Sequence, residues 1–531
     1  MEEKLNRKNS VLLNNVFSWD MFKKIKTIIL LLSISIQPVF SQVEYFNRIY
    51  TQHVASAADA VVETDSFYYV AGNMLDTTIV NHQRIFFDRY TKNGDFVWSK
   101  TWGDIRKIFS MGFTSPMLTA SDDGFALIGS IKDSTKVWHG ILLKLDKNGD
   151  SIWMKHFYDT ISTYPSDFLG FYGFKETFDK GFIITGQIKA SHQYDSDVFL
   201  LKTDSSGNTE WYKTYGYIAT IDRGFSVIQT PDSGYVIGGD SYKAGMDYSG
   251  DAYLIKTDKY GNKIWDKFLG GTKSDLCAYV VLSYDSNYIV GYSYAYRQNL
   301  PASAKTTISI VKVSPLKQII WGKTFWIHPD NTVMNIIELN DHSIVVVGLS
   351  WVIDTINQVG GLHSFIMKLS ETGDSLWYRD YSHIPEVSND IFNFIYDIKP
   401  TNDGGFIACG NYQNYFSGIV QATWLVKTDS LGCDTPGCHL IGIPEYPKLI
   451  TANVNVYPNP ATTYLIIDTK HHAFKPNYFE LFDCYGRRVK EVKLKKTSQT
   501  ISLTGINDGM YFYRVRSRGQ VLGKGKVLVV R

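Results

Sequence analysis

Residues 181 to 216, GFIITGQIKASHQYDSDVFLLKTDSSGNTEWYKTYG, decide the fold. With Phe171 to Thr177 in front, they read as four short strands: Phe171 to Thr177, Gly181 to Ile188, Val198 to Lys202 and Thr209 to Tyr215. Apolar residues alternate within them, Asp, Gly and Asn stand between them, and no 3.6-residue period is present. The closing Trp211 recurs as Trp98, Trp153, Trp265, Trp321 and Trp377, a mean spacing of about 56 residues. Two positions after each comes a base: Lys100, Lys155, Lys213, Lys267, Lys323 and Arg379. An Asp opens an earlier hairpin at 65, 122, 179, 232, 285, 341 and 403, and seven residues later stands a Gly, replaced only by Tyr292 in the fifth unit. A third set, Arg89, Lys144, Lys202, Lys256, Lys312, Lys368 and Lys427, occupies the middle strand.

Seven such units are present, and a four-stranded sheet with this period buries its faces only against its neighbours. That predicts an all-β, seven-bladed β-propeller with four-stranded blades. The last unit keeps Trp424 to Lys427 but runs into Cys-Asp-Thr-Pro-Gly-Cys without a closing Trp. Phe46-Asn47-Arg48-Ile49-Tyr50 carries the same aromatic, base, aromatic pattern as Trp211 to Tyr215. The ring is therefore expected to close by pairing residues 44 to 51 into the last blade. Beyond Pro444 the period stops, and residues 452 to 531 show alternating strand patterns of a small immunoglobulin-like β-sandwich.

The composition agrees with β structure. Of 531 residues, 15% are aromatic and 20% charged, with 42 Gly, which excludes a disordered chain and a coiled coil. A net charge of +2 argues against nucleic acid as a partner, but the tail is unlike the body: residues 470 to 531 hold 14 Lys and Arg against 4 Asp and Glu. At the front, Lys23, Lys24 and Lys26 precede the apolar run Thr27 to Ile36, with Val39-Phe40-Ser41 before a cleavage point at Gln42. Residues 1 to 41 thus read as a signal peptide with an extended n-region, translated from Met1 or from Met21. No later stretch reaches the length of a membrane-spanning segment. The division expected is 1–41 signal peptide, 42–440 propeller, 441–451 linker and 452–531 C-terminal domain.

The body resembles the propeller repeats of bacterial secreted proteins and, more loosely, quinoprotein-type blades; the shared residues are those that build blades. The tail resembles, over its whole length, the type A C-terminal sorting domain of the type IX secretion system of Gram-negative bacteria. The residues that carry the likeness are Tyr457-Pro458-Asn459-Pro460-Ala461, Asp483 to Arg487 with Gly486, Gly509-Met510-Tyr511 and Lys526 to Val529. The resemblance implies handling by the type IX secretion machinery and a secreted or outer-membrane surface location after signal-peptide cleavage.

Cys433 and Cys438 flank Asp-Thr-Pro-Gly, a turn that favours a disulfide over two free thiols or a pair of metal ligands. Cys277, Cys409 and Cys484 lie in strand patterns and read as buried small hydrophobes. The Asp-x-x-Gly-Asn turns lack the oxygen ligands of a calcium loop, so neither metal nor cofactor is expected. Nucleophile elbow, zinc motif, phosphate loop and vicinal cysteines are absent from the sequence, and no catalytic residue is assigned. The long connections converge on one face and carry Tyr194, Tyr242, Tyr248, Tyr294, Tyr296 and Trp351 beside Asp240, Asp247 and Asp354. Aromatic platforms with carboxylates suit a glycan, a peptide or an envelope protein. A binding module is the first reading, and an exported hydrolase or lyase acting on polysaccharide the alternative.

Overall fold

The computed structural model describes residues 45–438 and 454–530, apart from 77–81, 104–106, 113–114, 133–136, 159–168, 190–195, 219, 244–249, 271–274, 296–305, 326, 329, 355–358, 385–387, 389, 416–417 and 436–437 in the first stretch and 469–477, 484–486, 497 and 518–519 in the second. The leader read at 1–41 and the linker read at 441–451 lie outside the described residues. Among these residues no helix is long and apolar enough to cross a membrane.

Antiparallel four-stranded units follow one another along the body. The unit quoted above runs Leu169–Glu176, Phe182–Lys189, Ser196–Thr203 and Thr209–Tyr215, each strand paired with the next. The four strands fall where the sequence places them: the first and third are longer by one and three residues, the second is shifted by one and the fourth is unchanged. The first strand of each unit is innermost and packs against the neighbouring units. Residues far apart in the chain meet where these inner strands converge: Ser115, Lys175, Ser226, Tyr279, Asn335 and Lys399 line one central cavity. Sheets set around a channel in this way form a β-propeller.

The ring closes through Phe46–Tyr50, which pairs antiparallel with Ile419–Thr428 in the register Phe46 to Lys427 and Tyr50 to Thr423. The contacts of this strand explain why it fits. Elsewhere the closing Trp lies under the turn glycine of the next unit, as Trp153 does under Gly207, Trp211 under Gly261 and Trp377 under Gly432. Phe46 and Tyr50 lie under Gly94 in the same way. The Tyr50 hydroxyl donates to the Gly94 carbonyl at 2.6 Å, as Tyr215 does to Gly261 and Tyr381 to Gly432.

The recurrent glycine answers a bulge. Each of these inner strands gains a residue against its partner, for example between Phe171 and Gly173, Gly224 and Ser226, or Ile395 and Asp397. The bulge drives an inner-strand carbonyl toward the second strand, so a Cβ at Gly186 would lie 1.9 Å from the Gly170 oxygen and one at Gly239 1.8 Å from that of Arg223. No side chain fits there. In the unit that carries Tyr292 the shift spans Leu276 to Tyr279, one residue wider, and Cys277 takes a φ of 57°.

The middle-strand lysines are struts. Lys202 is 2% exposed and Lys256 3%, and their ammonium groups reach Asp179 and Asp232 of the tight hairpin at 2.9 Å. Lys144, Lys312, Lys368 and Lys427 pair with Asp122, Asp285, Asp341 and Asp403 in the same manner. Arg89 differs and stacks over Phe67 and Trp98. Burial raises the Asp285 carboxyl, but hydrogen bonds from Lys312, Asn287 and Ser283 outweigh it and hold the group at about 2. Asp122, Asp179, Asp232 and Asp403 are lowered by the same balance of burial against donors. Carboxyls that titrate below their unfolded value stabilise fully above about pH 4, and that contribution disappears as pH falls toward 2. Melting temperature followed by circular dichroism is thus expected to drop steadily as pH falls below about 4. A curve still flat at pH 3 would remove the struts from the account of stability.

The Asp-x-x-Gly-Asn turns are held by their own aspartates: Asp204 Oδ1 accepts from the Ser206 and Asn208 amides at 2.9 and 2.8 Å. Cys433 and Cys438 form a disulfide just after the last of these turns. Cys409 is buried and Cys277 half-buried, while Cys484 lies outside the described residues.

Residues 454–530 form two further sheets, Asn455–Tyr457, Tyr464–Asp468 and Ser498–Ser502 in one, Arg488–Lys493, Tyr478–Phe482, Gly509–Ser517 and Gln520–Val529 in the other. They share a core of their own, with Leu465, Ile467, Phe479, Leu481, Val515 and Val527 among its buried members. The segment from Tyr457 to Ala461 docks on the last strand: Asn459 accepts from the Leu528 amide at 2.9 Å and donates to the Lys526 carbonyl at 3.1 Å.

Candidate functional site in the central channel

The inner strands run from the long-loop face to the tight-hairpin face, and their side chains give the channel two levels. Near the long-loop mouth, Ile391–Pro400 presents Phe392, Phe394 and Tyr396 on one side, all half-buried. Successive ring centroids are 6.3 and 5.8 Å apart with interplanar angles of 17° and 19°. This is a ladder of aromatic faces along one strand.

Across the bulge layer lies Asp59, half-buried and accepting from Asn73 Nδ2 at 2.7 Å. Burial pushes its carboxyl up to about 8 against that hydrogen bond. Such a carboxyl is mostly protonated at neutral pH. Its charged form and burial together raise the neighbouring Tyr396 hydroxyl, burial being the larger cause.

A second cluster comes from the fourth unit. Arg223 pairs bidentately with Asp240, both bonds 2.8 Å, and its guanidinium lies over Phe225 and Tyr242. Phe225 stacks on Tyr172 at 5.7 Å, and the Tyr172 hydroxyl donates to Gln187. Asp240 has no exposed surface and also accepts from the Cys277 amide at 3.3 Å. It is committed to Arg223. Burial, then the Asp240 charge, pushes the Cys277 thiol up to about 12, which makes it inert as a nucleophile.

Of the residues read from the sequence, the structure brings Tyr242 and Asp240 together. Trp351 sits half-buried in another unit, against Gly360 of the facing strand. Tyr294 lies in a strand opposite Asp275, and nothing of its side chain is described. Tyr194, Tyr248, Tyr296, Asp247 and the tail residue Gly486 lie outside the described residues. In the tail, Tyr457 is exposed, Pro458 and Pro460 flank the docked Asn459, Gly509 opens its strand, and the Tyr511 hydroxyl donates to the Asn507 carbonyl.

Toward the tight-hairpin face the channel turns polar. Asp397 is fully buried and accepts from Lys399 Nζ at 2.6 and 2.7 Å, Asn335 Nδ2 at 2.8 Å, Ser115 Oγ at 2.5 Å and the Val61 amide at 3.2 Å. Lys175 faces the same cavity, of about 140 Å³. Its side chain is open to water within the channel yet ringed by protein on all sides. That burial, and then the charge of Lys399, pushes its ammonium down to about 8 although Asp397 pulls the other way. Sequence reading missed this level and the ladder. Alternating Phe392, Phe394 and Tyr396 was a usable signal; Lys175 had none beyond standing where other inner strands carry Val281 and Ile337.

Among the described residues no group of three His, Cys, Asp or Glu side chains is arranged to hold a metal ion.

Residues 455–530 match the family model described as a secretion system C-terminal sorting domain. Such a tail implies handling by the type IX secretion machinery and export to the cell surface or beyond it. No curated protein matches the chain. Among solved structures, a protein of unknown function from Dyadobacter fermentans DSM 18053 is 12% identical, over 58% of this chain and 94% of that one, with a TM-score of 0.40. An ulvan lyase of polysaccharide lyase family PL25 is 10% identical over 73% and 96%, with a TM-score of 0.44. An α-L-arabinanase of Penicillium chrysogenum is 9% identical over 59% and 92%, with a TM-score of 0.40. None of these likenesses carries chemistry over to this chain.

Proposed function

We propose that this chain is an exported binding module. In this reading residues 42–440 are a seven-bladed propeller whose N-terminal strand completes the last blade, 441–451 a linker and 452–531 an immunoglobulin-like sorting domain of type A. The mature body works on the cell surface or in the medium and holds a glycan at the long-loop mouth. The observation that carries this is the ladder Phe392, Phe394 and Tyr396: three half-exposed rings spaced to stack on successive rings of a bound chain. Each ring contact of this kind is worth about 0.5–1.5 kcal/mol, or about 2- to 10-fold in Kd.

A glycan array probed with the full chain tests it. Phe394→Ala and Tyr396→Ala are expected to weaken the best binder about 5-fold each, with unchanged melting curves. Binding indifferent to both substitutions would sink the ladder as the site, and a protein or peptide ligand captured in place of any glycan would redirect it.

Asp59 favours one second reading, an exported hydrolase or lyase acting on polysaccharide. A carboxyl protonated at neutral pH beside a phenol is what proton donation to a leaving group needs. Turnover of any polysaccharide that Asp59→Asn abolishes while leaving its binding intact would establish this reading; turnover unaffected by Asp59→Asn would end it.

A further inference from the structure

We propose that the polar level of the channel is a receptor for a small oxyanion, a carboxylate, sulfate or phosphate group, bound by Lys175 beside Lys399. Asp397 shows what this part of the channel accepts. It is an anion with no exposed surface, and it is held by an ammonium, an amide, a hydroxyl and a backbone N–H drawn from four separate parts of the ring. The channel is thus built around one carboxylate. Its cations outnumber that carboxylate: Lys399 is spent on Asp397, and Lys175 has no hydrogen bond or ion pair with any described residue.

Lys175 does not serve as a strut. The lysines that tie hairpins stand in the third strand and each has its aspartate, as Lys202 has Asp179 in this same unit. Lys175 stands instead in the inner strand, and its neighbour Glu176 turns away to accept from the Ser121 amide and hydroxyl of the preceding unit. Lys175 is exposed to the water of the channel, and Asp397, whose charge acts on it, is already held by Lys399, so an entering anion meets an ammonium available to bind it. The cavity of about 140 Å³ has room for between four and five waters at roughly 30 Å³ each, hence for one carboxylate or sulfate group. This site lies apart from the aromatic ladder: Phe392 and Lys399 are seven residues apart on one strand, about 20 Å. It stands or falls independently of glycan binding there.

The test is thermal melting of the full chain in sodium sulfate, sodium phosphate, sodium acetate and sodium glucuronate, each against sodium chloride at equal ionic strength. A saturable rise of several degrees is expected with at least one oxyanion and not with chloride. Lys175→Met is expected to abolish that rise and, because it removes the repulsion with Lys399, to melt no lower than the parent without any anion. Lys175→Arg keeps the charge and is expected to keep part of the response. A response confined to sulfate and phosphate identifies a free inorganic ion as the ligand; glucuronate acting at lower concentration than acetate identifies an acid carried on a sugar. An oxyanion response no larger than that of chloride, or one that survives Lys175→Met, overturns the proposal.

Discussion

Deleting residues 42–52 is expected to lower the melting temperature of the whole body by about 10 °C or more and to leave one broad transition in place of a cooperative one. Three losses combine. The strand from Ile419 to Thr428 loses its ladder partner along five residues, Thr423 to Lys427. Gly94 loses the rings beneath it, and Trp424 Nε1 loses the Asn47 oxygen it donates to at 2.7 Å. Phe46 is 4% exposed and belongs to the core that joins Tyr68, Phe86 and Tyr90 to Cys409 and Leu425. Removing a buried Phe alone costs about 3–5 kcal/mol, and each kcal/mol moves the midpoint of a large domain by about 2–4 °C. The loss is global because this strand joins the two ends of the ring; the bonds of Ser56 to Thr423 at 2.9 Å and of the Asn402 amide to Glu63 at 2.7 Å cross the same junction. Phe46→Ala is the milder form and is expected to cost about 3 kcal/mol or more. A deletion variant that melts within 2 °C of the parent would mean that the ring holds without its closing strand.

The same residues show where sequence reading ends. The units, the closing strand and the lysine struts are legible because each repeats with the period, and a period reports packing between like neighbours. The bulge layer is legible only as a recurrent glycine; that a carbonyl presses on Gly186 or Gly239 follows from the register. Tyr292 marks a departure without saying what compensates, and the wider shift at Cys277 is visible only in the strand pairing. Asp240 reads as a free carboxylate of a long loop. Folding the chain back about the turn at Ser233, with one residue of bulge, places Arg223 opposite it, as the pairing shows. The channel has no such local signature. Ser115, Lys175, Asn335 and Lys399 belong to different units, and their meeting depends on how many sheets the ring holds before it closes.

Removing residues 452–531 is expected to leave a folded body in the periplasm and none on the surface or in the medium, when the two forms are expressed in a host that has the type IX machinery. Each half can stand without the other. The tail buries Leu465, Phe479, Leu481, Val515 and Val527 in a core of its own. The body ends its last unit with a hairpin turn at Gly432, seated on Trp377, and the Cys433–Cys438 disulfide follows at once. Its melting curve is therefore expected to change by no more than about 2 °C on truncation, since the cores that define it lose nothing. Export should fail for a different reason. The match over residues 455–530 is to an address read by the secretion machinery, and the opening segment of that address is fixed in shape by the two hydrogen bonds of Asn459 and by Ala461, which accepts from the Val530 amide at 2.9 Å. Asn459→Ala keeps the core and removes both side-chain bonds, so it is expected to reduce export without unfolding the body. Protease protection of the periplasmic fraction and whole-cell labelling read the two effects separately. Truncated protein that still reaches the surface would refute the tail as the address, and truncated protein that is degraded unfolded in the periplasm would make the tail a structural part of the mature molecule.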